Sequence, residues 1–235
     1  MQALGDNKMT TATLDAQVNA RWIALWLAVC AVTIFGMILL GGVTRLTESG
    51  LSMVDWRPIM GVIPPLTEAQ WLATFAEYQQ YPEYQKINQG MDLAGFKQIF
   101  LFEYLHRVLG RLIGLMYFVP LVIFALRKMI APQLLPTLIL LLILGAAQGL
   151  LGWYMVKSGL VDRPSVSQYR LTAHLGVAVA IYALMMWLVL RVSSGLSPAL
   201  KHISGWGWVL VVGVYTLILS GGFMAGTDAG FAYPT

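Results

Sequence analysis

Five apolar runs, each close to the length needed to cross a bilayer, recur along this chain at 22–40, 105–126, 134–156, 171–192 and 207–223. About 20 residues of helix span the roughly 30 Å of hydrocarbon in a membrane. Inside lipid every backbone N–H and C=O must find a partner within the protein, so a run of this kind folds as a helix. The expected fold class is therefore all-α, a polytopic transmembrane helical bundle with five spans. Composition agrees: only 11% of the 235 residues are charged and 58% are hydrophobic, whereas a soluble domain carries about 25% charge. The formal net charge of +4 is spread over loops and helix ends without a basic run, which excludes nucleic acid as a partner. Cys30 is the only cysteine and falls within the first run, which excludes an intrachain disulfide and a cysteine-based metal site. The polar stretch 1–21 leads straight into a full-length span and has no cleavable apolar core, so it reads as a short cytosolic tail.

Between the first two runs lies a long polar segment, 44–102, holding Trp56, Trp71, Tyr78, Tyr81 and Tyr84, with Tyr104 at its edge. Aromatic side chains of this kind mark the membrane interface. Thr67 and Glu68 begin a short amphipathic helix that ends near Tyr81 and Pro82. Asp55, Trp56 and Arg57 follow the Gly50 turn and fix the loop to the membrane surface. For orientation, the side bearing Lys8, Arg21, Arg127, Lys128, Arg191 and Lys201 has only Asp6 and Asp15 as acids, while the opposite side balances its bases with acids. The short basic connections at 127–128 and 191–201 lie on the N-terminal side, which places the N-terminus inside.

An internal repeat organises the chain. Gly41, Gly42, Thr47, Glu48, Gly50 and Leu51 at the first exit match Gly221, Gly222, Thr227, Asp228, Gly230 and Phe231 at the fifth, in register. Spans one and five are thus equivalent, and a four-span unit repeated after an even number of crossings keeps its orientation. The competing reading is chance, since double-glycine helix exits are common. On the repeat, residues 1–204 form a first four-helix half with the long outer loop, and 205–235 the first helix of a second half. The native sequence is expected to continue past Thr235 with three more spans; the other reading is a natural short form that dimerises.

Three histidines occur, and two of them, His106 and His174, sit at the starts of the second and fourth spans, which share a membrane face. Two imidazoles at similar depth suit two axial ligands on opposite faces of one flat heme, or one ligand and one substrate-side group. The plain alternative is an interfacial imidazole bonded to a backbone carbonyl. His202 lies in a polar inside loop and reads as ordinary. Glu103 precedes His106 by three positions and shares its helix face, and Gly110 and Gly114 continue that face. Small residues so spaced also serve helix packing. Arg107 follows His106 directly and Arg170 precedes His174 by four, so each candidate ligand has a guanidinium nearby, as heme propionates require, although interfacial snorkelling is the commoner fate of such arginines. An ionisable group at the membrane edge is costly unless it pairs or works, so Glu103 is either catalytic or paired with Arg107. Gln148, mid-membrane, reads as a bridge between helices.

Taken together, the exit at 41–58, the Glu103, His106 and Arg107 helix start, the Gln148 and His174 spans and the stretch 226–230 resemble heme A synthase. The resemblance implies an enzyme of two four-helix halves with a histidine pair in each, an oxidoreductase of cytochrome oxidase assembly. It implies that Glu103, His106 and His174 lie on the front-half site, where a ring methyl of heme O is oxidised through hydroxylated intermediates to the formyl group of heme A. By the same resemblance a heme b in the rear half would relay electrons, and Glu103 would be positioned to stabilise charge developing on the substrate. The implied setting is a bacterial cytoplasmic or mitochondrial inner membrane, with the lipid bilayer, heme O, heme O synthase and a homo-oligomeric copy as partners. Some members carry a cysteine pair in the first outer loop; Met53 and the absence of a loop cysteine place this chain with the branch lacking it. The competing function is a membrane electron carrier in which His106 and His174 hold a permanent heme b, and a third reading is a transporter or assembly factor with structurally satisfied histidines. Glu103 discriminates, because a carrier has no use for a carboxylate one turn from a ligand.

Overall fold

The computed structural model describes residues 2–54, 62–160, 165–194 and 205–231, without the side chains of 2–15 and 231. The readings made for His202 and for Asp55, Trp56 and Arg57 lie outside the described residues. Seven α-helices follow in order: α1 (Gln2–Leu46), α2 (Glu68–Tyr78), α3 (Pro82–Lys86), α4 (Leu93–Leu126), α5 (Leu135–Gly159), α6 (Gln168–Ser193) and α7 (Gly205–Gly226). Five of them, α1 and α4 to α7, are long and apolar enough to cross a membrane, as the five apolar runs require. The chain is an integral membrane helical bundle. Helix α1 packs on α6 and α4, α5 packs on α6 and more loosely on α4, and α7 lies along α6.

The bundle core is apolar side chains facing inward from four helices: Leu27 and Cys30 of α1, Tyr117 and Leu121 of α4, Leu138 and Leu141 of α5, and Met185 and Leu188 of α6. One defect sits within it. Pro120 lies inside α4 and lacks the N–H that would bond the carbonyl one turn earlier, that of Met116. An orphan carbonyl at membrane depth is costly. The Trp26 indole N–H of α1 donates to the Met116 carbonyl at 2.8 Å and repairs the break from a neighbouring helix. The Tyr117 hydroxyl similarly donates to the Leu138 carbonyl of α5 at 2.8 Å.

Helix α4 starts earlier than its apolar run. Asp92 caps it by accepting from the Gly95 N–H at 2.8 Å, and Phe96 and Phe100 on its first turns are buried against Phe75 and Tyr78 of α2. These turns pack on protein in the outer loop, so they need no lipid-compatible sequence, and hydropathy alone misses them. His106 consequently lies more than three turns into α4. Helix α2 begins where the sequence put it: the Thr67 side chain accepts from the Gln70 N–H at 3.3 Å, and the Gln70 side chain accepts from the Thr67 N–H at 3.1 Å, a reciprocal cap.

The exits of α1 and α7 are built alike. The Thr47 N–H and hydroxyl donate to the Val43 carbonyl at 2.9 and 2.8 Å, and those of Thr227 donate to the Phe223 carbonyl, each at 3.0 Å. The next residue, Glu48 in one exit and Asp228 in the other, turns the chain with φ of 51° and 54°. The two exits also touch, because the Arg45 guanidinium binds the Asp228 carboxylate and the Ala225 carbonyl.

Candidate functional site

The C-terminal ends of α1, α5 and α7 and the N-terminal parts of α4 and α6 gather on one side of the bundle. Leu51 after α1 packs on Gly159 at the end of α5, and Gly226 at the end of α7 abuts Gln168 at the start of α6. Two imidazoles stand just below this rim, His106 on α4 and His174 on α6. Each rests against a glycine of the membrane-crossing helix before it in the chain. A Cβ added to Gly41 of α1 would lie 3.2 Å from His106 Nε2, and one added to Gly152 of α5 would lie 3.1 Å from His174 Cε1. Those glycines stand within about two turns of the ends of their helices, so the imidazoles lie at similar depth. Nδ1 of His174 is buried without a hydrogen-bond partner. Gln148 bridges α5 to α6 as its sequence position suggests, its side-chain N–H donating to the His174 carbonyl at 2.7 Å.

Glu103 is 2% exposed, and both its oxygens are engaged. Oε2 accepts from the Ser52 hydroxyl and from the Met53 N–H, each at 2.7 Å. Oε1 pairs with the Arg107 guanidinium, which also donates to the Met53 carbonyl at 2.9 Å. The carboxylate thus staples the outer loop to α4 one turn before His106. Arg170 stacks on the Tyr154 ring, 4.6 Å from its centre. Of the glycine stripe on α4, Gly110 receives Met37 of α1 and Gly114 faces open space, so that stripe contributes helix packing at Gly110.

Above the rim, the outer loop holds an aromatic cluster. Phe75 and Tyr78 of α2 stack on Phe96 of α4, and Trp71 meets Phe100 edge-on. Beneath Tyr78 lies Glu83 of α3, 4% exposed, with Oε2 unpartnered. Burial, reinforced by the charges of Glu103 and Glu48, raises its pKa to about 8, so the acid is largely neutral at pH 7. Burial, with Glu83 alongside, also pushes the Tyr78 hydroxyl above its ordinary range.

The structure therefore brings His106, His174, Glu103 and Arg107 to one rim, with Arg170 at the start of α6 on the same side. Sequence reasoning missed Ser52, the Met53 N–H, Gly41 and Gly152. Gly41 stands out only as part of the repeated double glycine, and no local pattern singles out Gly152. Ser52 and Met53 sit far from Glu103 in the chain, and only their place in the exit motif draws notice.

The donor set suits a porphyrin iron. Two imidazoles share one depth, a glycine clears space beside each, and one ring nitrogen is buried and unpartnered. Neutral imidazoles on facing helices are the ligands such an iron takes.

The family described as COX15-CtaA, cytochrome oxidase assembly protein, matches residues 24–235. The heme A synthase of Nitrosospira multiformis is 48% identical over 96% of this chain and 66% of its own length. That of Nitrosomonas eutropha is 48% identical over 100% of this chain and 68% of its own length. A third, from Rhodospirillum centenum, is 47% identical over 91% of this chain and 58% of its own length. The chain thus spans roughly two thirds of these curated relatives. No solved structure matches it.

Proposed function

This chain belongs to the COX15-CtaA family of cytochrome oxidase assembly proteins, and on that premise we propose that it is the front portion of a heme A synthase, which oxidises a ring methyl of heme O to the formyl group of heme A. The observation that carries the proposal is the placing of His106 and His174 at one depth, each against a glycine. In this reading the two imidazoles grip the substrate iron from opposite faces, and Arg107 and Arg170 offer positive charge to the propionates. Porphyrin iron so held exchanges single electrons; a heme b in the rear half is the proposed relay. The N-terminus is inside, and residues 1–204 form one half of a two-half protein, which the like-built exits of α1 and α7 support.

Glu103 is the proposed catalytic group, and its contacts define how it acts. To swing toward a substrate and take a proton it would have to leave Ser52, Met53 and Arg107. It serves instead as a fixed anion beside the site, stabilising positive charge on the carbon being oxidised without solvent reorganisation. Heme O synthase and a second copy of the chain are the proposed protein partners.

The test is optical. Full-length protein loaded with heme O should show the Soret and visible bands of a six-coordinate, bis-imidazole heme and convert the pigment to heme A. His106→Ala and His174→Ala should each lose the bands that added heme O contributes over those of the rear heme b, and the conversion. Retention of the heme O contribution by both variants removes these histidines as ligands. A stable bis-imidazole spectrum with no conversion by the full-length protein favours the electron carrier.

A further inference from the structure

We propose that Gly41 and Gly152 are positioning residues for the two imidazoles, fixing the distance and tilt at which His106 and His174 meet a porphyrin iron. This rests on the ligand roles given above. The glycines of the bundle divide by what a Cβ would meet. At Gly42, Gly114, Gly145 and Gly149 it would meet open space, and at Gly110 and Gly176 the side chains of Met37, Tyr215 and Leu219 from a neighbouring helix. Only at Gly41 and Gly152, among the described residues, would it meet an imidazole. The approaches of 3.2 and 3.1 Å are shorter than ordinary van der Waals contact, so one of the two groups would have to move.

The imidazoles are poorly placed to yield. Around His174 the backbone is held as well: Gln148 grips its carbonyl at 2.7 Å, and Gly152 follows Gln148 by four positions, on the same face of α5. One turn of α5 therefore holds the main chain of residue 174 with an amide and makes room for its ring with a glycine. The ring has few staggered alternatives within the helix, so added bulk at 152 tips it. His106 is seated through its Nε2 edge against Gly41, and bulk there moves the nitrogen that an iron would bind. A clearance repeated at both imidazoles, on two different helices, fits a site where ligand geometry matters more than helix packing density.

The experiment uses the full-length protein with Gly41→Ala, Gly152→Ala and, as a control facing open space, Gly145→Ala. Each is read by heme content, visible bands and the low-spin ferric electron paramagnetic resonance signal, which reports the angle between the imidazole planes. Displacing the support of a ligand typically weakens metal binding about 10-fold or more, so both test variants should lose heme on washing or shift the signal, while Gly145→Ala matches wild type. If His106→Ala and His174→Ala abolish the signal while Gly41→Ala and Gly152→Ala keep wild-type retention and spectra, the positioning role is overturned and the heme site stands. If the histidine variants keep the part of the signal that appears on adding heme O, the heme-site reading itself fails. Should Gly152→Ala not fold, adding His174→Ala removes the clash and should restore folding. A double variant that still fails assigns Gly152 to helix packing and overturns the proposal.

Discussion

Ser52 donates its hydroxyl to the Glu103 carboxylate at 2.7 Å, and the two residues, 51 positions apart, are both almost fully buried. The bond anchors the loop leaving α1 to the helix that carries His106. With the Met53 N–H and Arg107 it leaves Glu103 held on every side that donates to it.

Two substitutions at Glu103 should therefore part company. Glu103→Gln keeps an acceptor for Ser52 and Met53 but loses the charge. It is expected to fold, retain heme and form no heme A. Glu103→Ala strands Arg107 near hydrocarbon, and losing one partner of a buried pair costs about 3–5 kcal/mol, so expression and heme should both fall. Heme content and extracted pigments, measured side by side, check this. Normal heme A output from Glu103→Gln would remove the carboxylate from the mechanism.

Trp26 supplies the hydrogen bond that Pro120 denies to Met116. Trp26→Phe should lower the melting temperature in detergent, since an unsatisfied buried carbonyl costs about 1–3 kcal/mol. Pro120→Ala restores the internal helix bond, so the same Trp26→Phe change should cost less in that background. Equal losses in the two backgrounds would show that packing of the indole, rather than its N–H, carries the effect.

Arg45 ties the exit of α7 to that of α1 through Asp228 and the Ala225 carbonyl. Asp228 is largely exposed, so the ion pair is worth at most about 1 kcal/mol and weakens with salt. Arg45→Ala should leave the fold and heme binding intact but speed hydrogen exchange at 225–228. Unchanged exchange there would mean that the tie does not hold the exit.

Glu83 gives the outer loop a pH dependence whose sign follows from its pKa, raised from 4.5 to about 8 on folding. As pH climbs from about 4.5, the unfolded chain releases this proton while the folded chain keeps it, so stability declines until pH 8 and then levels. The groups facing Glu83 are Tyr78, Glu103 and Glu48. Glu83→Gln should flatten the decline between pH 5 and 8 in tryptophan-fluorescence melts. A variant that keeps the wild-type slope would assign the dependence to another group.

The spans were legible because lipid imposes one rule on every residue of a crossing helix, and that rule is written in hydropathy. Where α4 leaves lipid the rule lapses: its first turns pack on Phe75 and Tyr78, so His106, taken as the start of a helix, lies well inside one. Glu103 and Arg107 were legible as a pair because a helix fixes what stands one turn apart. Their other partners were not, since Ser52 and Met53 reach Glu103 through a long loop whose path no local pattern encodes. Gln148 announced itself by being polar at mid-membrane. Gly41 announced only the repeated exit and Gly152 nothing, because a glycine that makes room and a glycine that merely permits close helices are the same letter.

The Met116 carbonyl makes two distant positions a single unit of inheritance. While proline stands at 120, this carbonyl leans on donors from α1, the Trp26 indole at 2.8 Å and the weaker Cys30 thiol at 3.8 Å; once proline is replaced, that demand ends. A lineage can therefore lose the proline first and the tryptophan afterwards at little cost, whereas the reverse order passes through a helix whose mid-membrane carbonyl is left to a weak thiol donor alone.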